Sequence, residues 1–418
     1  MTDSEQFSLL RHRQFMMYWA TRVTTAFAYH MMFVAVGWQV YDLTNSAFDL
    51  GLIGLIMFIP SVPGVVLVGH VADHYDRRLV VGISQTVMGL CAAVLAVASL
   101  TGHISVYLIF AAVLVIGVCR AFHSPILHAL LPGIVPPAMI SRGVAAGTGA
   151  SQISIIGGPV LGGLLYIFGP EVVYGLSAVI FVVATILVAL IRLNYPPREK
   201  KPLSLDEVFA GFTYIRQNPV LFGSISLDLS ALLLGGVTAL LPIYAKDILE
   251  TGPWGLGVLR AAPAVGAVIA TIYLSHVALR RHTGRILIGA ISIYGLSVLL
   301  FGVAETLWLS VGALIVYGGM DAVNTIIRHS MTQSRTPNDK LGRVLSVASL
   351  FTSSATSLGQ FKAGVLAALL GVVPSVLVGG VGAIAVGLIW IRLFPELWRV
   401  QSVIPDEDEE RAQALRGK

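Results

Sequence analysis

Charge is what this chain lacks most. Only 12% of its 418 residues are Asp, Glu, Lys or Arg, while 56% are hydrophobic, and its mean hydropathy is +0.82. An ordinary soluble domain carries about 25% charged residues, so a water-soluble globule is excluded. Cysteine is nearly absent too. Cys91 and Cys119 both fall inside apolar runs, which excludes a disulfide framework and a zinc site. There is no His-Glu-x-x-His pattern and no Walker A loop, which argues against a zinc metalloprotease and against ATP hydrolysis within the chain. The first thirteen residues lack the basic–apolar–small pattern of a cleaved signal peptide, so the first apolar run is expected to stay in the protein. The net charge of +5 is spread over short loops rather than clustered, which is no footprint for nucleic acid. No cofactor is implied.

What the chain has in abundance is apolar runs of about twenty residues, each able to cross a ~30 Å hydrocarbon core at ~1.5 Å per residue. The expected fold is an all-α polytopic membrane protein with twelve transmembrane helices. They lie near 15–40, 49–70, 79–100, 104–127, 143–166, 171–193, 219–243, 255–277, 286–304, 307–327, 343–369 and 374–394. Basic residues alternate sharply from one connection to the next. One side carries Arg11, Arg13, Arg77, Arg78, Arg142, Arg198, Lys200, Lys201 and Arg216, then Arg280, Arg281, Arg285, Arg328, Arg335, Lys340 and Arg343. The other has only Lys246, with Arg260 just inside a span. The positive-inside rule then places both termini in the cytoplasm of a multi-pass cell-membrane protein.

The longest connection divides the spans six and six. The expected organisation is an N-terminal six-helix bundle over 1–193, a cytoplasmic linker over 194–218, a C-terminal bundle over 219–395 and a cytoplasmic tail over 396–418. Within the linker, apolar residues at 205, 208, 209, 212 and 215 predict an interfacial amphipathic helix.

The halves repeat. At an offset of 201 residues Gly117 falls on Gly318, His128 on His329, Pro136 on Pro337, Arg142 on Arg343, Gly158 on Gly359 and Gly163 on Gly364. Parallel repeats of this kind place a substrate site at the interface of two pseudo-symmetric bundles, near the midplane. The same offset puts Arg120 on Asp321, and an offset of 206 puts Arg22 on Asp228. Each lies ~12 Å into its span at ~1.5 Å per residue. A charge at that depth costs ~2.5–3.5 kcal/mol on insertion scales and normally faces the bundle interior, paired.

Two readings of these four charges stand side by side: salt bridges tying helices together, or a cavity in which a carboxylate binds and releases a proton. Asp228 is the first choice for that carboxylate on depth, followed by Asp321, with Asn324 one turn away. Lys362 either snorkels or pairs with a cavity carboxylate. Tyr29, His30 and Phe122 are candidates for a substrate surface, against the plainer reading of helix or lipid contact. His70 and His74 have metal-ligand spacing, but the stretch around them has another explanation and no metal site is expected.

That stretch is Gly69-x-x-x-Asp73-x-x-x-Arg77-Arg78, between spans two and three. It resembles motif A of the major facilitator superfamily. Arg120 resembles the membrane-embedded arginine linked to proton coupling in the drug–proton antiporters of that superfamily. Gly158-Pro159-Val160-Leu161-Gly162-Gly163 is similar to the core of their antiporter motif, although Ala145 and Ser154 stand where that motif has glycines. Arg120-Ala121-Phe122 with Pro125, and Asp321-Ala322-Val323-Asn324 with Arg328, resemble the branch of enterobactin exporters and macrolide efflux proteins.

The resemblance implies the major facilitator fold, a conformational latch at Gly69, Asp73, Arg77 and Arg78, and no enzymatic activity. It also implies antiport: export of a small amphiphilic, siderophore or drug-like substrate in exchange for protons, by a monomer in the lipid bilayer. Import or lipid flipping on the same fold is the alternative, and a non-transporting receptor a more distant one. Asp76 stands where motif A usually has glycine, a departure without an assigned role.

Overall fold

In the computed structural model, residues 12–192, 205–277 and 282–402 are described, and among them all regular structure is helical. The helices are α1 (Arg13–Thr44), α2 (Ala47–Phe58), α3 (Ser61–His74), α4 (Arg77–Leu100), α5 (Val106–His128), α6 (Ile140–Leu165) and α7 (Pro170–Ala189). There follow α8 (Leu205–Gln217), α9 (Pro219–Leu234), the short α10 (Leu241–Ile243), α11 (Gly252–His276), α12 (Thr283–Gly302), α13 (Leu307–Ser334), α14 (Asn338–Leu370), α15 (Val372–Leu393) and α16 (Pro395–Arg399).

Among the described residues nine helical stretches are long and apolar enough to cross a membrane. The other three expected spans coincide with α1, with α2 and α3 together, and with α14. α1 and α14 are helical throughout but interrupted by polar residues such as Arg22, His30, Gln39 and Lys362. The expected second span is two helices, because Pro60 has no N–H to donate and its ring crowds the preceding turn.

The helices are amphipathic in reverse, apolar outside. On α4 the exposed stripe is Leu79, Ile83, Leu90, Val94 and Val97, while Ser84 and Gln85 face inward. Lipid tails are as apolar as leucine, so such a stripe costs nothing in a bilayer and the helices need another reason to associate. α6 supplies it with small residues against α1. A Cβ at Gly162 would lie 2.6 Å from the Met31 carbonyl oxygen, and one at Gly158 2.9 Å from His30 Cβ. Ser154 fits the same stripe because its hydroxyl donates to Val23 O at 3.0 Å, and Ala145 faces outward, away from it. The two departures from the antiporter motif therefore cost no packing.

The chain forms two compact units. One joins Met1–Leu203 with Leu241–Ala261, the other Ser204–Leu240 with Ala262–Lys418. In the first, α1 packs on α6 and α7, α4 on α7, and α5 on α2 and α3; in the second, α12 packs on α13 and α15, and α14 on α8, α9 and α15. The linker residues 193–204 and the tail residues 403–418 lie outside the described part. α8 does more than float at an interface: Ile215 is buried with Val344, Val347 and Ala348 of α14.

Substituting Gly162 with leucine must force α1 and α6 apart, at a cost of about 1–3 kcal/mol for overpacking. Thermal unfolding in detergent is expected to show a lower Tm for Gly162→Leu and an unchanged one for Ala145→Leu.

Candidate functional site

In the first unit Arg22, Arg120 and Arg260 rest on neutral partners. Arg22, 8% exposed, donates from Nη1 to Tyr18 Oη at 3.1 Å and from Nη2 to Ser151 Oγ at 2.9 Å. Gly147 makes room for it, since a Cβ there would lie 2.8 Å from Nη1. Arg120 lies over the Tyr29 ring, 3.7 Å from its centroid, a cation–π contact that requires no acid. Tyr29 in turn packs on Phe33 at 4.4 Å and edge-on to His30 at 5.3 Å. Arg260 donates from Nη1 to Phe33 O at 3.0 Å, and its buried Nε has no hydrogen-bond partner among the described residues. Arg120, Tyr29 and His30 thus come together. Phe122 is not part of this cluster and packs on the apolar core around Phe15, Tyr18 and Ile126.

The second unit gathers carboxylates. Tyr317, Asp321, Asn324 and Arg328 recur at spacings of three and four, so they share one face of α13. Asp228 of α9, 2% exposed, meets that face. Its Oδ1 accepts from Asn324 Nδ2 at 2.6 Å and its Oδ2 from Thr352 Oγ1 at 3.4 Å. Arg328 Nε stands 3.3 Å from Oδ2, a charge contact rather than an aligned hydrogen bond. Arg328, read from the sequence as a loop cation, is a buried ion-pair partner, because α13 continues to Ser334, past the end of its apolar run. Asp321 is only partly buried and makes no side-chain hydrogen bond or ion pair among the described residues.

Lys362 makes no ion pair among the described residues; its Nζ donates to Leu234 O, the last carbonyl of α9.

In the stretch that joins α3 to α4, the surroundings of Gly69, His70, Ala72 and Asp73 lie outside the described part, and those of Asp76, Arg77 and Arg78 lie within it. Asp76 caps α4, accepting from Arg78 N at 2.8 Å, and pairs with the Arg78 guanidinium at 2.7 Å. A glycine cannot do either, which gives the departure from motif A its function. Hydrogen bonds from Arg78 hold the Asp76 carboxyl below the usual carboxylate range. Arg77 donates to Ala129 O at 3.0 Å and Arg78 to Ile191 O at 2.9 Å, satisfying carbonyls just past the C-terminal ends of α5 and α7. Those are helix ends that favour positive charge. The two arginines therefore bind three helices of one unit together.

Residues 4–411 match the sequence profile of the transmembrane secretion effector family, and the chain belongs to it. It is a membrane transporter of the major facilitator type. Among its relatives is the enterobactin exporter EntS of Salmonella choleraesuis (strain SC-B67), 26% identical over 408 residues, covering 96% of this chain and 97% of the relative. The enterobactin exporter EntS of Escherichia coli O1:K1 / APEC is 25% identical over 405 residues, covering 95% and 96%. The fold is shared with a variant of the nucleoside transporter NupG, at a TM-score of 0.75 and 13% identity over 91% of this chain and 100% of that one. It is shared also with a bacterial homologue of the human lysosomal transporter Spinster, at 0.69 and 11%, over 93% and 98%.

Two predictions follow from these contacts. Asp228→Asn leaves Arg328 buried and unpaired, a loss on the order of 3–5 kcal/mol. Thermal unfolding is expected to show that loss, and to show Asp321→Asn unchanged. Asp76→Ala removes a cap worth about 1 kcal/mol, and Asp76→Asn, itself a capping residue, loses less. Because the Asp76 carboxyl is depressed in the folded state, its contribution is full above the ordinary carboxylate range. It fades as pH falls through the lowered value, so the Tm difference between wild type and Asp76→Ala narrows in acid.

Proposed function

We propose that the protein exports a small amphiphilic molecule, siderophore or drug-like, from the cytoplasm in exchange for protons by alternating access. The observation that carries the proton step is the contrast between the two carboxylates of the second unit. Asp228 is saturated by Asn324, Thr352 and Arg328. Asp321, one helical turn from Asn324, is partly open and has no such partners among the described residues. A carboxylate bonded to a cation and two donors strands those partners if it changes state, whereas one without them can exchange a proton as its surroundings change. Asp321 is then the exchanging group, and Asp228 with Asn324 and Arg328 the frame that positions it.

Arg120, with the aromatic surface of Tyr29, presents cationic and apolar groups suited to an acidic or mixed-polarity substrate, and Arg22, bonded to Tyr18 and Ser151, braces that wall. The enterobactin exporters among the relatives support a siderophore-like cargo. The distribution of basic residues supports cytoplasmic termini in the cell membrane, which is the inner membrane if the cell is Gram-negative, and the proposed transporter is a monomer of two six-helix bundles over 1–193 and 219–395.

Proteoliposomes test this. Under an imposed pH gradient, wild-type protein is expected to drive substrate movement coupled to proton counterflow, with Asp321→Asn reduced to the level of empty liposomes while still binding substrate. Undiminished pH-driven transport by Asp321→Asn would remove Asp321 from the proton path.

A further inference from the structure

Within the second unit, α8 packs on the start of α14 and leaves a cavity of about 260 Å³ beside it. Gly211, Thr213, Tyr214, Gln217, Lys340 and Arg343 line it. The walls are held in place. A Cβ at Gly211 would lie 3.0 Å from Arg343 O, so glycine lets the two backbones meet. Ile215 is buried with Val344 and Val347, and the Tyr214 hydroxyl donates to Arg335 O at 3.0 Å, at the end of α13. Two of the lining residues are cations and none is an acid. Lys340 Nζ stands 5.1 Å from the centre of the Tyr214 ring and makes no ion pair among the described residues. Arg343 is exposed. They are the third and sixth residues of α14, an end where the helix dipole disfavours positive charge, so the stability of the helix does not account for them. The arginine fork and the lysine point charge suit a carboxylate or a phosphate, and Thr213 and Gln217 add neutral donors.

The flanks of α8 decide between occupants. At ~100° per residue, Phe212 lies on the flank opposite Thr213 and Gln217, where it packs on the exposed ring of Phe351 at 6.1 Å. A lipid with its phosphate in the cavity therefore has no apolar track beside it, and an acid arriving from water fits better. The chain carries one: Asp406-Glu407-Asp408-Glu409-Glu410. The residues before that run are fixed close to the cavity. Gln401 O accepts from Thr283 N at 3.2 Å and Val400 O from Gly284 N at 3.1 Å, while Leu397 and Val400 are buried with Val220 of α9. Val220 comes three residues after Gln217, at most ~10 Å of chain. The same rise lets Asp406–Glu410 extend up to ~14–28 Å from Ser402, enough to reach Lys340 and Arg343. A partner tethered by so short a stretch acts at millimolar effective concentration.

We propose that the cavity between α8 and α14 is the docking site of the acidic segment Asp406–Glu410, which fastens the C-terminal end of the chain to the helix at the head of the second unit. Lys340 and Arg343 hold its carboxylates. Both are exposed, so salt loosens the contact by screening. The site is separate from Asp228 and Asp321, and its test uses neither substrate nor transport.

The test is spin-label distance measurement on the full chain in a Cys91→Ser/Cys119→Ser background, in phosphatidylcholine nanodiscs. One labelled cysteine replaces Gly342, exposed between Lys340 and Arg343 with open space where its Cβ would be. The other replaces Ala412, just past the acidic run. A short, narrow 342–412 population is expected at low salt. Lys340→Gln/Arg343→Gln is expected to lower its ratio to the long, broad population about fivefold, the product of two exposed charge contacts. Arg216→Gln, which removes an exposed cation outside the cavity, is expected to leave it unchanged. Lys340→Glu/Arg343→Glu combined with Asp406→Lys/Glu407→Lys/Asp408→Lys is expected to restore the short population. If the first double variant does not fold, Thr213→Glu, which puts a carboxylate into the cavity, takes its place under the same criteria. A single broad population in the wild type overturns the docking, and an equal loss in Arg216→Gln overturns the site. Loss of the short population when phosphatidylglycerol replaces phosphatidylcholine gives the cavity to a lipid headgroup and overturns the acidic segment as its occupant.

Discussion

A carbonyl that loses its helical partner inside a membrane has no water to turn to, and the cost is several kilocalories per mole. This protein meets that constraint with cations. Arg77 serves the end of α5, Arg78 the end of α7 and Lys362 the end of α9. Arg260 uses the same chemistry on a carbonyl inside α1. The first three place a positive group where the helix dipole favours one, so the charge and the backbone group relieve each other. Charges so employed are committed to structure. They leave few groups free for chemistry, and those few stand out more sharply than composition suggests.

Close packing depends on the same economy. Without a hydrophobic drive between helices, association relies on short distances, and short distances rely on side chains that are absent or small. The face of α6 that carries Gly147, Ser154, Gly158 and Gly162 lies on α1, and the neighbouring Gly163 lies on Gly257. One helix is therefore packed on one face against α1 and on another against the start of α11. Polar side chains such as Arg22 enter that seam only where a missing Cβ leaves a slot, as at Gly147.

Much of this was legible in the sequence. The membrane class follows from hydropathy, and the family from Gly69–Arg78, Arg120 and Gly158–Gly163. Harder to read was anything that depends on where a helix ends after its apolar run has ended. Ile327 closes the run in α13, yet the helix goes on through Arg328 to Ser334, so a buried partner of Asp228 looked like a loop cation. The reverse happened at Leu234, where the apolar run continues past a real end of helix marked by Gly235-Gly236. Pro60 was visible, but a hydropathy window does not register a proline. Asp76 was visible as a departure from a motif, and its meaning needed the geometry of the cap.

The duplication explains why the polar groups come in two grades. Arg22 and Asp228 occupy corresponding positions near the start of each half, and both are buried and saturated, one by Tyr18 and Ser151, the other by Asn324, Thr352 and Arg328. Arg120 and Asp321 correspond as well, and both are only partly buried and lightly held: the first by a ring, the second by no hydrogen bond among the described residues. A saturated charge fixes helix register but cannot change state cheaply, because its partners would be stranded. A lightly held charge costs more to keep in the membrane and less to alter. One of each per unit, with opposite signs in the two units, is the pattern expected when each half of a duplicated bundle keeps an anchor and leaves its second charge less constrained.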